Sequence, residues 1–250
     1  MPSLVFGVAF GNLLLGVPFG LDGDLRPDYT GTFFGLLNPF GLIAGLVSVA
    51  MLVMHGGTWL TLKADGAVAE RAARLARLAG LVTAGLFALA GLWVAFGMEG
   101  YALSGVVDHS GPSNPLGKTV LRETGAWINN YGIYPWLIAA PLLGVAGSAL
   151  VSLLARRSAA LAAFVASAIG VAGIIATAGV SLFPFLMPSS TNPAASLTVW
   201  DASSSRLTLF IMLLAVVVFL PVVLAYTGFV LRVMRGRVRL ADVERREALY

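Results

Sequence analysis

Residues 207–231 read LTLFIMLLAVVVFLPVVLAYTGFVL, and no charged side chain interrupts them. A hydrocarbon layer about 30 Å thick is crossed by roughly 20 apolar residues in a helix, so this stretch predicts a transmembrane helix. Four further stretches meet the same requirement, at about 36–62, 78–98, 133–154 and 159–186. The sequence therefore predicts a polytopic bundle of about five full membrane helices.

The composition of the whole chain indicates the same solvent. Of the 250 residues, 58% are hydrophobic and 11% are charged, whereas about a quarter of the residues in a soluble domain are charged. The absence of cysteine excludes thiolate-held iron–sulfur clusters, c-type haem attachment and disulfides. The chain also lacks a glycine-rich phosphate loop, a His-Glu-x-x-His motif and a Gly-x-Ser-x-Gly motif, which sets several enzyme classes aside.

The first apolar block, residues 2–19, is slightly short for a full span and begins abruptly after Met1. It has neither the basic start nor the small-residue cleavage site that a signal peptide would show. We therefore expect the second half of a membrane helix in a chain that is truncated at its N-terminus. The predicted fold class is all-α, a single membrane domain over residues 1–250 with this partial helix and the five full ones.

The basic residues predict the orientation of the helices. Twelve of the sixteen lysines and arginines lie in three segments, at 63–77, 155–158 and 232–246. The remaining four lie in the other connecting segments, at 20–35, 99–132 and 187–206. By the positive-inside rule the first set is cytoplasmic, the second faces outward, and the C-terminus is cytoplasmic. Arginines of such a tail can also attract nucleic acid or anionic lipid, but they are far more often topology determinants, and we expect no nucleic-acid partner.

His55, in the stretch MLVMHGGTW at 51–59, is the only ionisable residue deep in a predicted span. Lys63 marks the cytoplasmic boundary of the membrane span. His55 precedes it in the same helix and lies roughly 12 Å from that boundary, toward the membrane midplane. Imidazole and thioether are haem-iron ligands, but Met51 and Met54 share the helix of His55 and cannot bind the opposite face of the same haem. The alternative is a neutral imidazole that bonds to a carbonyl group or a neighbouring helix, and we favour this structural role.

Other candidate residues lie in the predicted outer segments. Asp108 and His109 are followed by a serine, which suggests a catalytic triad. Consecutive residues do not readily take the required in-line geometry, so we expect a structured loop with Asx turns from Asp108 and Asn114. Trp200 and Asp201 are typical of an interfacial aromatic beside a helix cap. An outward contact with a quinone or a partner is the alternative for this pair.

Two motifs concern the start of the first full span. Asn38 followed by Pro39 is typical of a helix N-cap with proline at the first helical position. The pair of glycines in Gly41-x-x-x-Gly45 would let another helix approach closely.

Five stretches together resemble subunit II of the cytochrome bd-type quinol oxidases. They are GVAFGNLLLGVPF (7–19), LLNPFGLIAGLVSVAMLV (36–53), DHSGPSNPL (108–116), SLFPFLMPSST (181–191) and ASLTVWDASSSRLTL (195–209). Their order and spacing match the family, and the final ADVERREALY is similar to its C-terminus. The resemblance runs from residue 2 to residue 250 and covers the C-terminal two-thirds of the family's chain.

The resemblance implies a membrane subunit of the bacterial inner membrane that has no catalytic residues of its own. It implies a complex that oxidises quinol and reduces O2 to water, with haems b and d in the partner, subunit I. It further implies a heterodimer with that haem-binding subunit, no cofactor bound by this chain, and a quinone or membrane lipid as a bound molecule. Residues matching the family motifs are expected to serve folding and subunit contact: Asn38, Pro39, Asp108, His109, Asn114, Trp200 and Asp201.

Two other functions remain open from the sequence. A permease half or small-solute channel would need polar groups along a path through the membrane midplane, and only His55 and scattered threonines and serines are available. A purely structural assembly subunit would need no such path and would act by stabilising its partner.

Overall fold

The computed structural model describes residues 1–105, 114–233 and 236. The helices are α1 (Pro2–Leu15), α2 (Pro39–Lys63), α3 (Gly66–Phe96), α4 (Asn129–Ile133), α5 (Ala139–Leu154), α6 (Ala160–Leu182) and α7 (Arg206–Val233). Five helical segments are long and apolar enough to cross a membrane, namely α2, α3, α6, α7 and the segment Pro135–Leu154 that includes α5. The predicted all-α membrane bundle is confirmed.

Short strands form three antiparallel hairpins in the segments that the charge pattern places outside. They pair β1 (Phe19–Leu21) with β2 (Pro27–Tyr29), β3 (Glu99–Ser104) with β4 (Thr119–Thr124), and β5 (Phe185–Met187) with β6 (Leu197–Thr198). The sequence predicts only connecting loops at these places. We call this side of the molecule the hairpin end, and the opposite side, where α3 and α6 begin, the basic end.

Four helices form a closed ring. The α2 helix packs against α3 and α6, and α5 packs against α3 and α6. Small residues allow the closest approach, because a Cβ atom at Gly147 of α5 would lie 2.6 Å from the backbone nitrogen of Gly170 of α6. Helices in lipid associate through such close packing, since the surrounding acyl chains remove the hydrophobic driving force. Alanine, valine and methionine fill the centre of the ring: Met54, Ala76, Ala79, Val151, Ala155, Ala163 and Ala166.

The α1 helix packs against the first helix of this ring. A Cβ atom at Gly45 of α2 would lie 2.9 Å from the side chains of Leu4 and Val8 of α1. At Gly7 of α1 it would lie 2.6 Å from the Cα atom of Gly45. The close approach expected at the Gly41-x-x-x-Gly45 motif is thus confirmed, with α1 as the neighbouring helix.

A buried apolar cluster joins the helix ends to the hairpins. Its members are Leu14, Phe40, Met98, Tyr101, Val120, Trp127, Leu182 and Phe185. The Trp127 indole donates a hydrogen bond to the carbonyl of Leu14 at 3.1 Å, and the Tyr101 hydroxyl donates one to that of Leu15 at 3.3 Å. These donors satisfy carbonyl groups that a helix C-terminus leaves without partners. The cluster therefore fixes the end of α1 to the hairpin end of the ring.

Several helix boundaries differ from those expected. The α1 helix ends at Leu15 rather than residue 19, because Gly16 has φ +88° and leaves the helical conformation. The α3 helix begins twelve residues before the expected position, because residues 66–77 are rich in alanine and arginine, which favour helix, although their charges lower the hydropathy. The α7 helix has no residue buried against the rest of the described chain.

Candidate functional site

A polar cluster at the contact between α2 and α6 includes the half-buried His55. Its Nδ1 atom lies 2.8 Å from the Oγ atom of Ser167 on α6. The same serine hydroxyl lies 2.9 Å from the Oγ1 atom of Thr58, which donates to the carbonyl of His55 at 2.7 Å. The imidazole also stacks on Phe164, with ring centroids 5.0 Å apart and planes inclined by 29°. The cluster links α2 to α6 through one imidazole and two hydroxyl groups.

Neighbouring helices cover part of the His55 imidazole. One ring nitrogen of His55 is hydrogen-bonded to Ser167 and one ring face is covered by Phe164. The interface between α2 and α3 beside it is closed, because a Cβ atom at Gly57 would lie 3.0 Å from the Cβ of Ala76. Among the residues that the structure describes, no group of three or more histidine, aspartate or glutamate side chains could hold a metal ion.

At the hairpin end, Asn12 and Asn38 hold the junction of α1 and α2. The Asn38 side chain caps α2 by accepting from the backbone N–H of Gly41 at 2.7 Å, with Pro39 at the first helical position. Its amide group donates to the Oδ1 atom of Asn12 at 2.8 Å. Asn12 in turn donates to the carbonyls of Val8 and of residue 36, at 2.8 and 2.7 Å. The prediction that Asn38 caps α2 is confirmed. Asn12 is a second residue of this hydrogen-bonded junction, and the periodicity of the sequence does not reveal it.

The second polar centre is a buried ion pair between two distant segments. The Nζ atom of Lys118 lies 2.6 Å from the Oδ2 atom of Asp201, and their side chains are 2% and 7% exposed. Lys118 also donates to the carbonyl of Pro115 at 2.6 Å. The other carboxylate oxygen of Asp201 accepts from the backbone N–H of Thr198 at 2.7 Å. A buried charge pair of this kind is stable only when further hydrogen bonds support both partners, as they do here.

The sequence offers Asp201 and the serines at 203–205 as caps for α7, and in the structure a serine takes this role. Ser205 supplies that interaction, since its hydroxyl oxygen accepts from the backbone N–H of Thr208 at 3.3 Å. Trp200 packs edge-on against Phe183, with ring centroids 5.9 Å apart, and is 42% exposed. The ion pair thus fixes the segment before α7 to the β3–β4 hairpin.

The remaining candidates lie beside this ion pair or outside the described residues. Asn114 accepts from the backbone N–H of Leu116 at 3.0 Å, which is the Asx turn expected there. That turn immediately precedes Lys118, which no motif in the sequence distinguishes from other charged loop residues. Asp108 and His109 lie outside the described residues. The structure thus brings Asn114 and Asp201 to one place, whereas Asn38 and His55 belong to two separate clusters.

Tyr101 borders the same hairpin. Burial raises the pKa of its phenol, nearby Arg122 lowers it, and Glu99 raises it further. A raised pKa extends the pH range over which the hydroxyl stays protonated and can donate to the end of α1.

Comparison with known proteins places these features in a family. The family model described as cytochrome bd terminal oxidase subunit II matches residues 1–234. The chain is 51% identical over 245 residues to cytochrome bd-I ubiquinol oxidase subunit 2 of Escherichia coli K12, covering 98% of this chain and 65% of that protein. It is 44% identical over 251 residues to the probable cytochrome oxidase subunit 2 of Haemophilus influenzae, covering 100% of this chain and 66% of that protein.

A more distant relative extends the comparison. The cytochrome bd ubiquinol oxidase subunit 2 of Bacillus subtilis is 24% identical over 239 residues, covering 95% of this chain and 61% of that protein. The chain spans just under two thirds of the length of the curated relatives it matches.

Proposed function

The chain belongs to the cytochrome bd terminal oxidase subunit II family, and from this we propose that it serves as the second membrane subunit of a bd-type quinol oxidase. The observation that supports the proposal is the family match over residues 1–234, which includes all five apolar helical segments that are long enough to cross a membrane. The complex would oxidise a quinol and reduce O2 to water during aerobic respiration. The haems of the partner subunit would supply the redox chemistry.

The role proposed for this chain within the complex is structural support rather than catalysis. The contacts of His55 join two helices of the ring, and the Lys118–Asp201 pair joins two segments of the hairpin end. Both arrangements hold surfaces in fixed positions, as packing against a haem-carrying partner requires. A quinone or membrane lipid would be an additional bound molecule in the assembled heterodimer.

We further propose that the protein resides in the bacterial inner membrane with its C-terminus in the cytoplasm. Support comes from the arginines at the basic end, where α3 begins and where α5 is joined to α6. Positively charged residues in short loops are retained on the cytoplasmic side during insertion. The hairpin end would then face outward.

A solute channel through the ring finds little support in the packing. Gly147 and Gly170 bring α5 and α6 into backbone contact, and alanine side chains fill the centre toward the basic end. A transport path would need polar groups and space along the whole midplane.

Co-purification tests the proposed function. The chain, carrying an affinity tag, is expressed together with a haem-binding subunit I and isolated in mild detergent. We expect haem absorbance and quinol oxidase activity to elute with the tagged chain, and a tag-free sample to give neither. Recovery of the chain without haem and without oxidase activity would contradict the proposal. Deleting the chain tests whether it stabilises its partner during assembly. An unchanged haem content of the partner would exclude this assembly role.

A further inference from the structure

The basic end of the ring contains a cavity that the proposed function does not use. Its volume is about 310 Å³, near the lower bound of about 300 Å³ for ligand-binding pockets. Three arginines line it: Arg74 and Arg77 from α3, and Arg156 from the joint between α5 and α6. Glu70 is the single acidic residue in the lining. The cavity therefore carries an excess of positive charge contributed by two separate parts of the chain.

The arginines retain donors for a ligand. The guanidinium groups of Arg74 and Arg156 make no hydrogen bond or ion pair with any residue in the described ranges 1–105, 114–233 and 236. Within the same ranges, the guanidinium group of Arg77 donates one hydrogen bond, from Nε to the carbonyl of Ala73 at 3.4 Å. A guanidinium group has five N–H donors in a planar fork, which matches the oxygen atoms of a phosphate group. Glu70 forms no ion pair with any of the three in the described structure.

The helix that supplies two of these arginines adds to the positive potential. Gly66, the first residue of α3, lines the cavity. The N-terminus of a helix carries a partial positive charge and backbone N–H groups without intrahelical partners. The apolar part of α3 starts just beyond Arg77, so the cavity lies at the level where membrane headgroups meet the hydrocarbon. Basic pockets between membrane helices at this level suit anionic headgroups.

We propose that this cavity binds a phosphate group, presented by an anionic phospholipid or by a soluble phosphate. The arginines at the cavity hold the phosphate oxygens, and the buried alanines of the lining, Ala69, Ala73 and Ala155, form its floor. The proposal does not depend on the oxidase function, because it rests on the cavity and its charges alone.

Lipid binding by the full chain in detergent tests the proposal. The probes are phosphatidylglycerol, phosphatidylcholine and inorganic phosphate, and bound lipid is counted by native mass spectrometry. We expect phosphatidylglycerol to bind more tightly than phosphatidylcholine. The double variant Arg74→Gln/Arg156→Gln should weaken that binding at least about tenfold, since each arginine loses charge-assisted hydrogen bonds.

A matched control removes the same charge elsewhere at the basic end. Arg71 of α3 and Arg232 of α7 do not line the cavity, so Arg71→Gln/Arg232→Gln should change binding less than about threefold, as expected for screened surface charges. A third variant, Glu70→Gln, removes the acidic group of the lining and should strengthen binding. It keeps the test decisive if the double variant does not fold.

Three results would overturn the proposal: equal binding of both lipids together with no binding of inorganic phosphate, equal loss in the cavity and control variants, or no response to Glu70→Gln in a folded protein. Competition distinguishes the two sources of phosphate. Displacement of phosphatidylglycerol by millimolar inorganic phosphate, with the same arginine dependence, assigns the site to a soluble phosphate. Retention of the lipid under those conditions assigns it to the headgroup.

Discussion

Removing the carboxylate of Asp201 should destabilise the hairpin end strongly. The variant Asp201→Asn keeps the shape of the side chain but leaves the ammonium group of Lys118 buried, with the carbonyl of Pro115 as its remaining partner among the contacts described here. Breaking one side of a buried ion pair costs about 3–5 kcal/mol. This corresponds to an increase in local opening by a factor of roughly 10² to 10⁴.

The same hairpin provides an exposed ion pair as a control. The Nη2 atom of Arg122 lies 3.3 Å from the Oε2 atom of Glu99, with side chains 39% and 56% exposed. Because solvent screens such a pair, Glu99→Gln should cost no more than about 1 kcal/mol. The double variant Lys118→Met/Asp201→Asn should recover much of the loss, since it leaves no uncompensated buried charge.

The assay is detergent unfolding of the purified chain, followed by tryptophan fluorescence and by limited proteolysis of the hairpin end. Trp127 and Trp200 both report on this region. We expect Asp201→Asn to be cleaved much faster than the wild type and Glu99→Gln to be cleaved at nearly the wild-type rate. If the two single variants lie within about 1 kcal/mol of each other, the ion pair does not stabilise the hairpin end as argued.

Three further predictions concern the helices. His55→Ala should leave the haem spectrum of the assembled complex unchanged, and a shifted or missing haem band would refute the structural role. In a double-mutant cycle with Ser167→Ala, the two substitutions should show a coupling energy of about 0.6 kcal/mol, and zero coupling would exclude the hydrogen bond. Gly147→Ala should lower the free energy of unfolding by about 1–3 kcal/mol through overpacking. Gly179→Ala, on an open helix surface, should raise it by about 0.5–1 kcal/mol. Unfolding titrations in which both variants change this free energy in the same direction would contradict the close helix contact. Gly16→Ala should cost at least about 1 kcal/mol in the same titration, because φ is +88° and the added carbon would meet a tyrosine hydroxyl, and a neutral result would count against this turn.

Much of the helical framework follows from hydropathy and capping rules. The apolar stretches predict the five spans, and the Asn38–Pro39 motif predicts where α2 begins. The start of α3 was missed because residues 66–77 are charged, which argues against membrane burial but not against helix formation. High hydropathy indicates that a segment is surrounded by lipid. In lipid it also predicts a helix, because backbone groups there must be paired within the segment, whereas low hydropathy alone does not predict the secondary structure.

The polar centres are harder to predict from the sequence. Lys118 and Asp201 are far apart in the chain, and each alone resembles an ordinary charged loop residue. His55 could be placed in depth by counting from Lys63, but its partner Ser167 is one of many small residues on α6. Such pairs depend on which helix faces align, and a single sequence contains no periodic signal for this alignment.

The short joints of the ring have a consequence for biogenesis. Only Ala64 and Asp65 separate α2 from α3, and residues 155–159 separate α5 from α6. Each pair of helices can therefore enter the membrane as one unit. Both of its helices form before they meet the other pair, as two-stage assembly in bilayers allows. The contacts of α3 with α5 and of α2 with α6 join the two helical pairs into the ring, so assembly of the ring is a separate step from formation of each pair. An error in the association of the two pairs would leave both of them correctly inserted in the membrane but not assembled into the ring.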